Sequence, residues 1–513
     1  MEPLPPTTQT QEIQRPKPSV RGRIALAYSG RVATLLVNVA TKIVTLPVML
    51  ARLTTGEYAA WVVSVEALNY LTLSRLGIPL AQSRSLSQSS GDAKSREEQL
   101  SSYLALNFVC ATLSLLLTAA LYLLLRHALG LPAAAEIALW LGALSSLALP
   151  FSLYASYLQA AFWEAGVEIA ATAAVLVHAA CVLTLLPLGL GIQGLVVAHG
   201  LSQLAQAVVL RSLFRRVHGT FHFSWSAVRW APIRKLIPFS SEILLSTVSI
   251  LVFTATDRIV LGTFLGDAEV TRYDLAGKML AVSLPIVYAV PGVFFPLIAR
   301  SDGNLAAQRG LYLSLLEGTL AVAGWIAALY LFLGGPLLRA WTARATVDFP
   351  IDLAVVFAAL FLLQSAMQAG AVFLQAKDEF RGAARLSLLG AISNITISLL
   401  LVRSWGATGV VVGSLAAMLI GNGRHIPLFL RRRMEIPWSR YASIALRRVA
   451  LPLAFSGGVC VWLDPWSYPR AAVVGLALAL SLAYGALSWM LLERSLRGRI
   501  LNWLRERLWG ESL

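Results

Sequence analysis

The sequence predicts an all-α polytopic membrane protein with about 14 transmembrane helices, in two similar six-helix halves plus two C-terminal helices. Of its 513 residues, 57% are hydrophobic and only 13% are charged, and the mean hydropathy is +0.69. A soluble domain has about 25% charged residues, so this chain has too few charges to cover a soluble surface. It carries instead repeated apolar runs of the roughly 20 residues that a membrane-crossing helix needs.

Fourteen apolar segments follow one another along the chain, and short polar gaps separate them. The segment at 449–463 is the weakest, because Pro452 and the Gly457-Gly458 pair interrupt it. Thirteen or twelve spans are therefore the alternative counts. The predicted spans are 25–50, 57–80, 103–125, 137–161, 168–188, 192–213, 237–264, 272–299, 311–334, 351–376, 386–402, 406–430, 449–463 and 471–492.

The basic residues predict the orientation of these spans. With both termini in the cytoplasm, most of the 42 Lys and Arg residues lie in cytoplasmic loops or tails. Only seven lie on the opposite side. This asymmetry is the one that the positive-inside rule describes. It also accounts for the net charge of +16 without a nucleic-acid partner, which the pattern argues against.

The segments outside the spans define the predicted organisation. The N-terminus is polar, basic and rich in Pro and Gln, and it lacks the features of a cleavable signal peptide. The region between the halves mixes aromatic and basic residues, which is typical of an interfacial linker. The predicted units are a disordered cytoplasmic tail (1–23), an N-terminal half (24–216), a cytoplasmic interfacial linker (217–236), a C-terminal half (237–430), two extra helices (431–492) and an amphipathic cytoplasmic tail (493–513).

Several function classes find no support in the sequence. The three cysteines, Cys110, Cys181 and Cys460, each lie in an apolar run without metal-ligand or CxxC spacing. We therefore expect them to be small core residues. No nucleotide-binding loop or metal cluster appears in the sequence, so no metal site or cofactor is expected. An ATP-driven pump is not predicted either, unless a partner supplies the ATPase.

The first span carries an unusual stripe of polar and basic residues. Arg31, Asn38 and Lys42 are separated by seven and then four residues, which places them within about 40° of one another on a helix. A charge at bilayer depth costs roughly 2.5–3.5 kcal/mol on insertion scales, so such residues are by default functional. Arg31 could extend to the cytoplasmic interface, but Lys42 lies too deep for that explanation.

The remaining intramembrane charges fall mainly on the second, seventh and eighth spans. Structural roles could explain one or two of them, and Asp274 and Lys278 have the i,i+4 spacing of a local salt bridge. A shared cavity between the halves explains the distribution better. Its deep cations would suit an anionic group such as a phosphate. The candidates are Arg31, Lys42, Arg75, Arg258 and Lys278 for the anionic group, Glu66, Glu242 and Asp257 for ion coupling, and Asn38 and Asn69 as polar lining.

Two stretches carry a resemblance to a known family. They resemble the polysaccharide-biosynthesis flippases of the O-antigen type, and the similarity in layout covers about residues 24–492. One stretch opens the chain and the other opens the second half. The matching residues are Leu46-Pro47, Arg52-Leu53, Gly56-Glu57-Tyr58, Trp61 and Leu76-Gly77 in the first, and Asp257 through Gly262, Leu265-Gly266, Tyr273, Ala276, Lys278 and Pro296 in the second.

The resemblance implies membership of the multidrug/oligosaccharidyl-lipid/polysaccharide exporter superfamily. Family members carry undecaprenyl-diphosphate-linked glycans between the leaflets of the bacterial cytoplasmic membrane by alternating access. The family's central cavity is lined by spans 1, 2, 7 and 8 and is often cationic. The implied partners are the lipid-linked glycan and membrane lipid, with a polysaccharide polymerase and export machinery as candidates.

Alternative functions remain at this point. A lipid II-type flippase moves a similar lipid diphosphate. A multidrug or cation antiporter of the same superfamily typically uses membrane carboxylates, whereas the first span here carries Arg31 and Lys42 and no acid. A membrane glycan polymerase or ligase usually has a large extracytoplasmic loop with acids and bases. The longest predicted loop on that side, about residues 335–350, offers only Arg339, Arg344 and Asp348.

Overall fold

The computed structural model describes residues 20–88, 93–299, 301, 305–342, 349–377 and 383–490. Nearly all of these residues are helical, and the described part contains no β-strand. The helices are α1 (Val20–Arg52), α2 (Thr55–Tyr70), α3 (Ile78–Gln88), α4 (Ala93–Leu123), α5 (Pro132–Ala148), α6 (Ser152–Ala160), α7 (Glu164–Leu185), α8 (Gly191–His218), α9 (Trp230–Arg234), α10 (Ile237–Phe264), α11 (Asp267–Ala299), α12 (Leu305–Thr342), α13 (Ile351–Ala376), α14 (Ala383–Met418), α15 (Arg424–Arg433), α16 (Trp438–Ala445), α17 (Leu451–Leu463) and α18 (Arg470–Met490).

Ten helical segments of the described part are long and apolar enough to cross a membrane. The protein is therefore a multi-pass, all-helical membrane protein. The predicted total of fourteen spans stays a prediction, because helix length and hydropathy identify ten segments in the described part of the chain. The predicted span 57–80, for example, is interrupted: α2 ends at Tyr70, a 3-10 helix covers Leu71–Arg75, and α3 begins at Ile78.

One of the ten segments, Leu386–Arg433, is 48 residues long and reverses direction. Gly406 breaks the helical path with φ 59° and ψ −142°. The two arms of α14 then run antiparallel, since Ser398 Oγ donates to the carbonyl of Val410 at 3.3 Å. Asn394 Nδ2 likewise donates to Ser414 Oγ at 3.0 Å. The reversal lies at the boundary between the predicted spans 386–402 and 406–430.

The start of α2 is fixed by a local capping interaction. The backbone N–H of Glu57 donates to Thr54 Oγ1 at 3.2 Å, and the backbone N–H of Thr54 donates to Glu57 Oε2 at 2.8 Å. This reciprocal arrangement satisfies two helix-terminal donors that no helical carbonyl can reach. It therefore fixes the residue at which α2 begins.

The largest apolar cluster joins the two predicted halves. Tyr58 and Ala59 of α2 are buried in the same cluster as Leu261 of α10 and Val270 and Tyr273 of α11. Helix α1 packs against α7, and α7 packs against α8. The division into two halves by sequence similarity stays a prediction. The packing shows where the two regions meet, which is along α2, α10 and α11.

The predicted linker and the C-terminal helices lie away from the contact between the two halves. The predicted linker forms a short 3-10 helix and α9, with Trp225 71% exposed and Trp230 65% exposed. The C-terminal helices pack against α12, where Arg448 Nη2 contacts Glu317 Oε1 at 2.7 Å. The predicted tails lie largely outside the described residues, which begin at 20 and end at 490.

The turn at Gly406 gives a stability prediction. An alanine would have no close contact there, because the nearest atom to its Cβ is Leu265 Cδ1 at 4.0 Å. Its cost would therefore come from the backbone conformation alone, at about 1–3 kcal/mol. We expect Gly406→Ala to lower the unfolding temperature of the purified protein in detergent.

Gly475→Ala is the matched control, because Gly475 lies in α18 with open space around it and no positive φ. That substitution should leave the unfolding temperature unchanged or raise it. Equal effects of the two substitutions would contradict the strained-turn explanation.

Candidate functional site

A polar cavity of about 430 Å³ lies among α1, α2, α7, α8 and α11. Helix α1 contributes its stripe of polar residues, and α2 contributes two aromatic residues and one carboxylate. Below, "the cavity" refers to this space. Its polar and aromatic lining residues are Asn38, Thr41, Lys42, Thr45, Tyr58, Trp61, Glu66, His178, His199, Ser202, Gln203, Gln206, Asp274 and Lys278.

Two members of the stripe on α1 face the cavity. Asn38 and Lys42 both line the cavity, and the side chain of Asn38 is anchored by donating to the carbonyl of Thr34 at 3.0 Å. Lys42 is exposed to this space, and no described carboxylate forms an ion pair with it. A cation inside the membrane therefore points into a polar cavity without a counter-ion from the described part of the chain.

Four charged residues form a continuous network, and three of them line the cavity. Arg258 Nη1 of α10 contacts Glu66 Oε1 of α2 at 2.8 Å. Arg258 Nε also contacts Asp274 Oδ1 of α11 at 3.1 Å, and Lys278 Nζ contacts Asp274 Oδ2 at 2.6 Å. Tyr58 of α2 donates to the same Asp274 Oδ2 at 2.7 Å. These five residues are called the ion network below, and they connect α2 to α10 and α11.

The charges of the ion network balance one another. It contains the two cations Arg258 and Lys278 and the two carboxylates Glu66 and Asp274. Asp274 is nearly fully buried, with its side chain 3% exposed, so its three partners replace the water it has lost. Lys42 remains outside this balance. It is therefore the lining cation that is best placed to hold an anion.

Asp257 occupies a separate buried position between α10, α11 and α14. Tyr273 Oη donates to its Oδ2 at 2.7 Å, and Ser414 Oγ donates to the same atom at 3.0 Å. Its Oδ1 is buried and has no hydrogen-bond partner among the described residues. Asn394 and Ser398 extend this polar group behind Ser414. Asp257 and the adjacent Arg258 thus point to different partners, as their 100° separation on a helix predicts.

The structure places the other predicted site residues as follows. The backbones of Arg31 and Glu242 lie in α1 and α10, but their side chains are outside the described residues. Arg75 is exposed at the end of the 3-10 helix and does not line the cavity. Asn69 is also absent from the cavity lining, and its Nδ2 donates to Glu66 Oε2 at 3.0 Å.

Arg258 and Lys278 differ from the expectation of free cavity cations. Arg258 does not line the cavity, because Glu66 and Asp274 hold its guanidinium within the ion network. Lys278 does line the cavity, but it forms the i,i+4 salt bridge with Asp274 that the sequence left open. Sequence spacing could not show this, since Glu66 meets Arg258 across 192 residues of chain.

The α7 and α8 side of the cavity was not predicted from the sequence. The expected cavity drew on spans 1, 2, 7 and 8, whereas α7 and α8 correspond to spans five and six, and α10 contributes no lining residue. A search for intramembrane charge overlooks His178, His199, Gln203 and Gln206, because none of them carries a fixed charge. The pair Gln203 and Gln206, three residues apart in an apolar helix, is the signal that could have found this side.

The comparisons with known proteins place the chain in a family. The family model described as polysaccharide biosynthesis protein matches residues 29–302, a little over half of the chain. The chain belongs to this family. The match covers α2, α7, α8, α10 and α11 completely, together with most of α1. It therefore contains the cavity, the ion network and the candidate residue Asp257. A search of curated proteins gave no match.

The fold of this chain is similar to that of two solved transporter structures. The lipid II flippase MurJ in an inward closed conformation is 13% identical, with a TM-score of 0.64, over 91% of this chain and 98% of that chain. An inward-facing multidrug resistance MATE family transporter of the MOP superfamily is also 13% identical, with a TM-score of 0.61, over 78% and 99%. At this identity the likeness establishes the fold that these proteins have in common.

The ion network gives a stability prediction. We expect Arg258→Met to destabilise the protein by about 3–5 kcal/mol, because it leaves Glu66 unpaired and weakens the pairing of Asp274 in a buried setting. The measurement is the unfolding temperature of the purified protein in detergent. Arg126→Met is the control, since Arg126 and Glu136 form an exposed pair with 40% and 65% exposed side chains.

The control substitution should cost at most about 1 kcal/mol. Adding Glu66→Gln to Arg258→Met should recover part of the lost stability, because it removes the charge left unpaired. If Arg258→Met and Arg126→Met shifted the unfolding temperature equally, the ion network would have no special role in stability.

Proposed function

We propose that the protein is a flippase that moves an undecaprenyl-diphosphate-linked oligosaccharide or polysaccharide repeat unit across the bacterial cytoplasmic membrane by alternating access, without covalent chemistry. The observation that carries the proposal is Lys42, a deep cation that faces a polar cavity and has no ion-pair partner in the described part of the chain. The polysaccharide biosynthesis family and the shared transporter fold support it.

A glycan linked to a lipid through a diphosphate has a polar part that suits the cavity and an apolar part that suits the bilayer. Its diphosphate would supply the counter-ion that Lys42 lacks among the described residues. A charge-assisted hydrogen bond between them would be strong, because water is scarce at this depth. The polar sugar would enter the cavity, while the apolar tail would remain in the bilayer and need no protein site. Arg31 belongs to the same stripe and would extend the cationic path toward the cytoplasm.

The ion network would act as a closure between the two regions. Tyr58 and Glu66 lie on α2, whereas Arg258 and Asp274 lie on α10 and α11. Rocking one bundle against the other would have to separate these partners. Glu66 and Lys278 are partly exposed to the cavity, so water could replace the lost contacts there. Both termini are proposed to be cytoplasmic, with a polymerase and export machinery as partners.

Asp257 is proposed as the coupling-ion site. Its unpartnered Oδ1 lies in a buried group of oxygen atoms that includes Ser414, Asn394 and Ser398. Such a site can take a proton on the carboxylate or a sodium ion among oxygen ligands. Glu66 is less suited to coupling, because Arg258 already neutralises it. Glu242 remains a candidate on sequence grounds.

The alternative transported substrates can be weighed against the same residues. A cation antiporter needs a carboxylate available to its substrate, but Glu66 and Asp274, which line the cavity, are both paired. A lipid II-type flippase remains the second candidate, because the resemblance to MurJ extends over 91% of the chain. The two flippase substrates share the diphosphate and differ in the attached glycan, so transport assays with each lipid separate them.

The proposed role of Lys42 gives a transport prediction. Lys42→Met keeps a similar length and removes the charge, so we expect it to slow flipping by roughly 10-fold to 100-fold, the range of a lost charge-assisted hydrogen bond. Arg31→Met should also impair flipping. The measurement uses purified protein in vesicles and a fluorescent undecaprenyl-diphosphate-linked disaccharide, whose exposed fraction is quenched from outside.

Lys94→Met is the matched control, because Lys94 is exposed at the start of α4 and does not line the cavity. It should flip the lipid at the wild-type rate. A wild-type rate for Lys42→Met, at equal protein per vesicle, would remove the main support for the proposal.

The proposed coupling site gives a second transport prediction. Asp257→Asn preserves the shape of the side chain but removes its charge, so flipping should no longer respond to the coupling gradient. Sodium and proton gradients are imposed in separate vesicle preparations to identify the ion. Asp352→Asn is the control, since Asp352 is exposed at the start of α13. Retention of the gradient response in Asp257→Asn would exclude Asp257 as the coupling site.

A further inference from the structure

One side of the cavity is polar but carries no fixed charge. Its lining residues on α7 and α8, called the α7–α8 wall below, are mostly histidine, glutamine, serine and small apolar residues. Every charged lining residue lies instead on α1, α2 or α11. The residues of the wall are Ala174, Val175, His178, Ala179, His199, Ser202, Gln203 and Gln206.

The packing of α1 on α7 shows where the wall lies along the helix axes relative to Lys42. Gly30 lies against Glu168, and Thr34 bonds to Thr172 at 2.8 Å, so the two helices run in the same direction. Lys42 lies eight residues beyond Thr34, and His178 lies six residues beyond Thr172. At 1.5 Å per residue, the two side chains differ in height by about 3 Å.

The glutamines of α8 lie farther toward the N-terminal end of α1. Helices α7 and α8 form an antiparallel hairpin, in which Gly194 packs against Leu185. His199 is therefore close to the level of His178. Gln203 and Gln206 follow one and two turns later, which is about 6 Å and 10 Å farther along the cavity. The wall thus continues away from the level of Lys42.

The wall has hydrogen-bonding capacity that the described residues do not use. The side-chain amide of Gln206 has no partner among them, and Gln203 contacts only His199, at 3.4 Å. His199 Nε2 is also 2.8 Å from Ser145 Oγ. A primary amide offers two donors and an acceptor, which matches hydroxyl and acetamido groups. Trp61 adds a large apolar ring surface to the same cavity.

We propose that the α7–α8 wall, chiefly Gln203 and Gln206, binds the uncharged sugar that follows the diphosphate of the transported lipid. This inference rests on the proposed function, which assigns the diphosphate to Lys42. A uronic acid would be unfavourable at this wall. Its carboxylate would lose water and meet no fixed cation on the wall itself, because the residues of α7 and α8 that line the cavity are neutral or weakly basic. The wall therefore selects hydroxyl-rich or N-acetylated neutral sugars.

Binding measurements with three lipids test the inference. The probes are undecaprenyl diphosphate alone, the same lipid carrying one N-acetylglucosamine, and the same lipid carrying one galacturonic acid. The proteins are the wild type, Gln203→Leu/Gln206→Leu, Lys42→Met and the control Gln193→Leu. Gln193 is an exposed glutamine on the same helix, outside the cavity.

The wild type should bind the N-acetylglucosamine lipid at least tenfold more tightly than undecaprenyl diphosphate or the galacturonic acid lipid. Gln203→Leu/Gln206→Leu should lose about tenfold in affinity for the N-acetylglucosamine lipid, as expected for two lost hydrogen bonds. Its affinity for undecaprenyl diphosphate should not change, which also shows that the variant is folded. Lys42→Met should bind all three lipids more weakly, and Gln193→Leu should match the wild type.

Other outcomes would overturn the sugar-binding role of the wall, alone or together with the proposed function. Equal wild-type affinity for the three lipids would overturn the sugar-binding role of the wall and leave the diphosphate role of Lys42 intact. A double variant that lost the same affinity for undecaprenyl diphosphate as for the N-acetylglucosamine lipid would also overturn it. Failure of the wild type to bind any of the three lipids would overturn the proposed function as well.

Discussion

The pairing of Arg258 with Glu66 and Asp274 is the constraint on which the rest of the site depends. In a membrane interior, water does not solvate a charge, so each buried ionised group must find protein partners. Arg258 satisfies this requirement by contacting a carboxylate on α2 and another on α11. Because one guanidinium serves both, the contact fixes α2 against α10 and α11 as well as neutralising charge.

This arrangement also determines the chemistry left for the cavity. Asp274 uses its oxygens on Arg258, Lys278 and Tyr58, so it has little capacity to hold a cationic ligand. Lys42 belongs to a different helix and lies outside this balance. The cavity therefore combines a neutralised side, an available cation and an uncharged hydrogen-bonding wall. A diphosphate joined to a neutral sugar has the complementary set of groups.

The sequence was informative where a feature depends on local spacing. The apolar runs predicted an all-helical membrane protein, and the seven- and four-residue spacings of Arg31, Asn38 and Lys42 predicted one polar face on α1. The structure agrees for Asn38 and Lys42, which both line the cavity. The 100° offset between Asp257 and Arg258 on a helix likewise accounts for their different partners. Helical periodicity is a property of the chain itself, so these predictions did not need the tertiary structure.

The tertiary structure decided which charges are paired and which surfaces meet. Sequence alone grouped Arg258 and Lys278 with Lys42 as cations for an anion, but Glu66 and Asp274 neutralise the first two. It also omitted α7 and α8 from the cavity, because Gln203 and Gln206 carry no charge to draw notice. The sequence by itself therefore determined the membrane fold class, the polar stripe on α1 and the family resemblance. The assignment of Lys42 as the available cation required the structure, because ion pairing depends on distances between helices that are far apart in the chain.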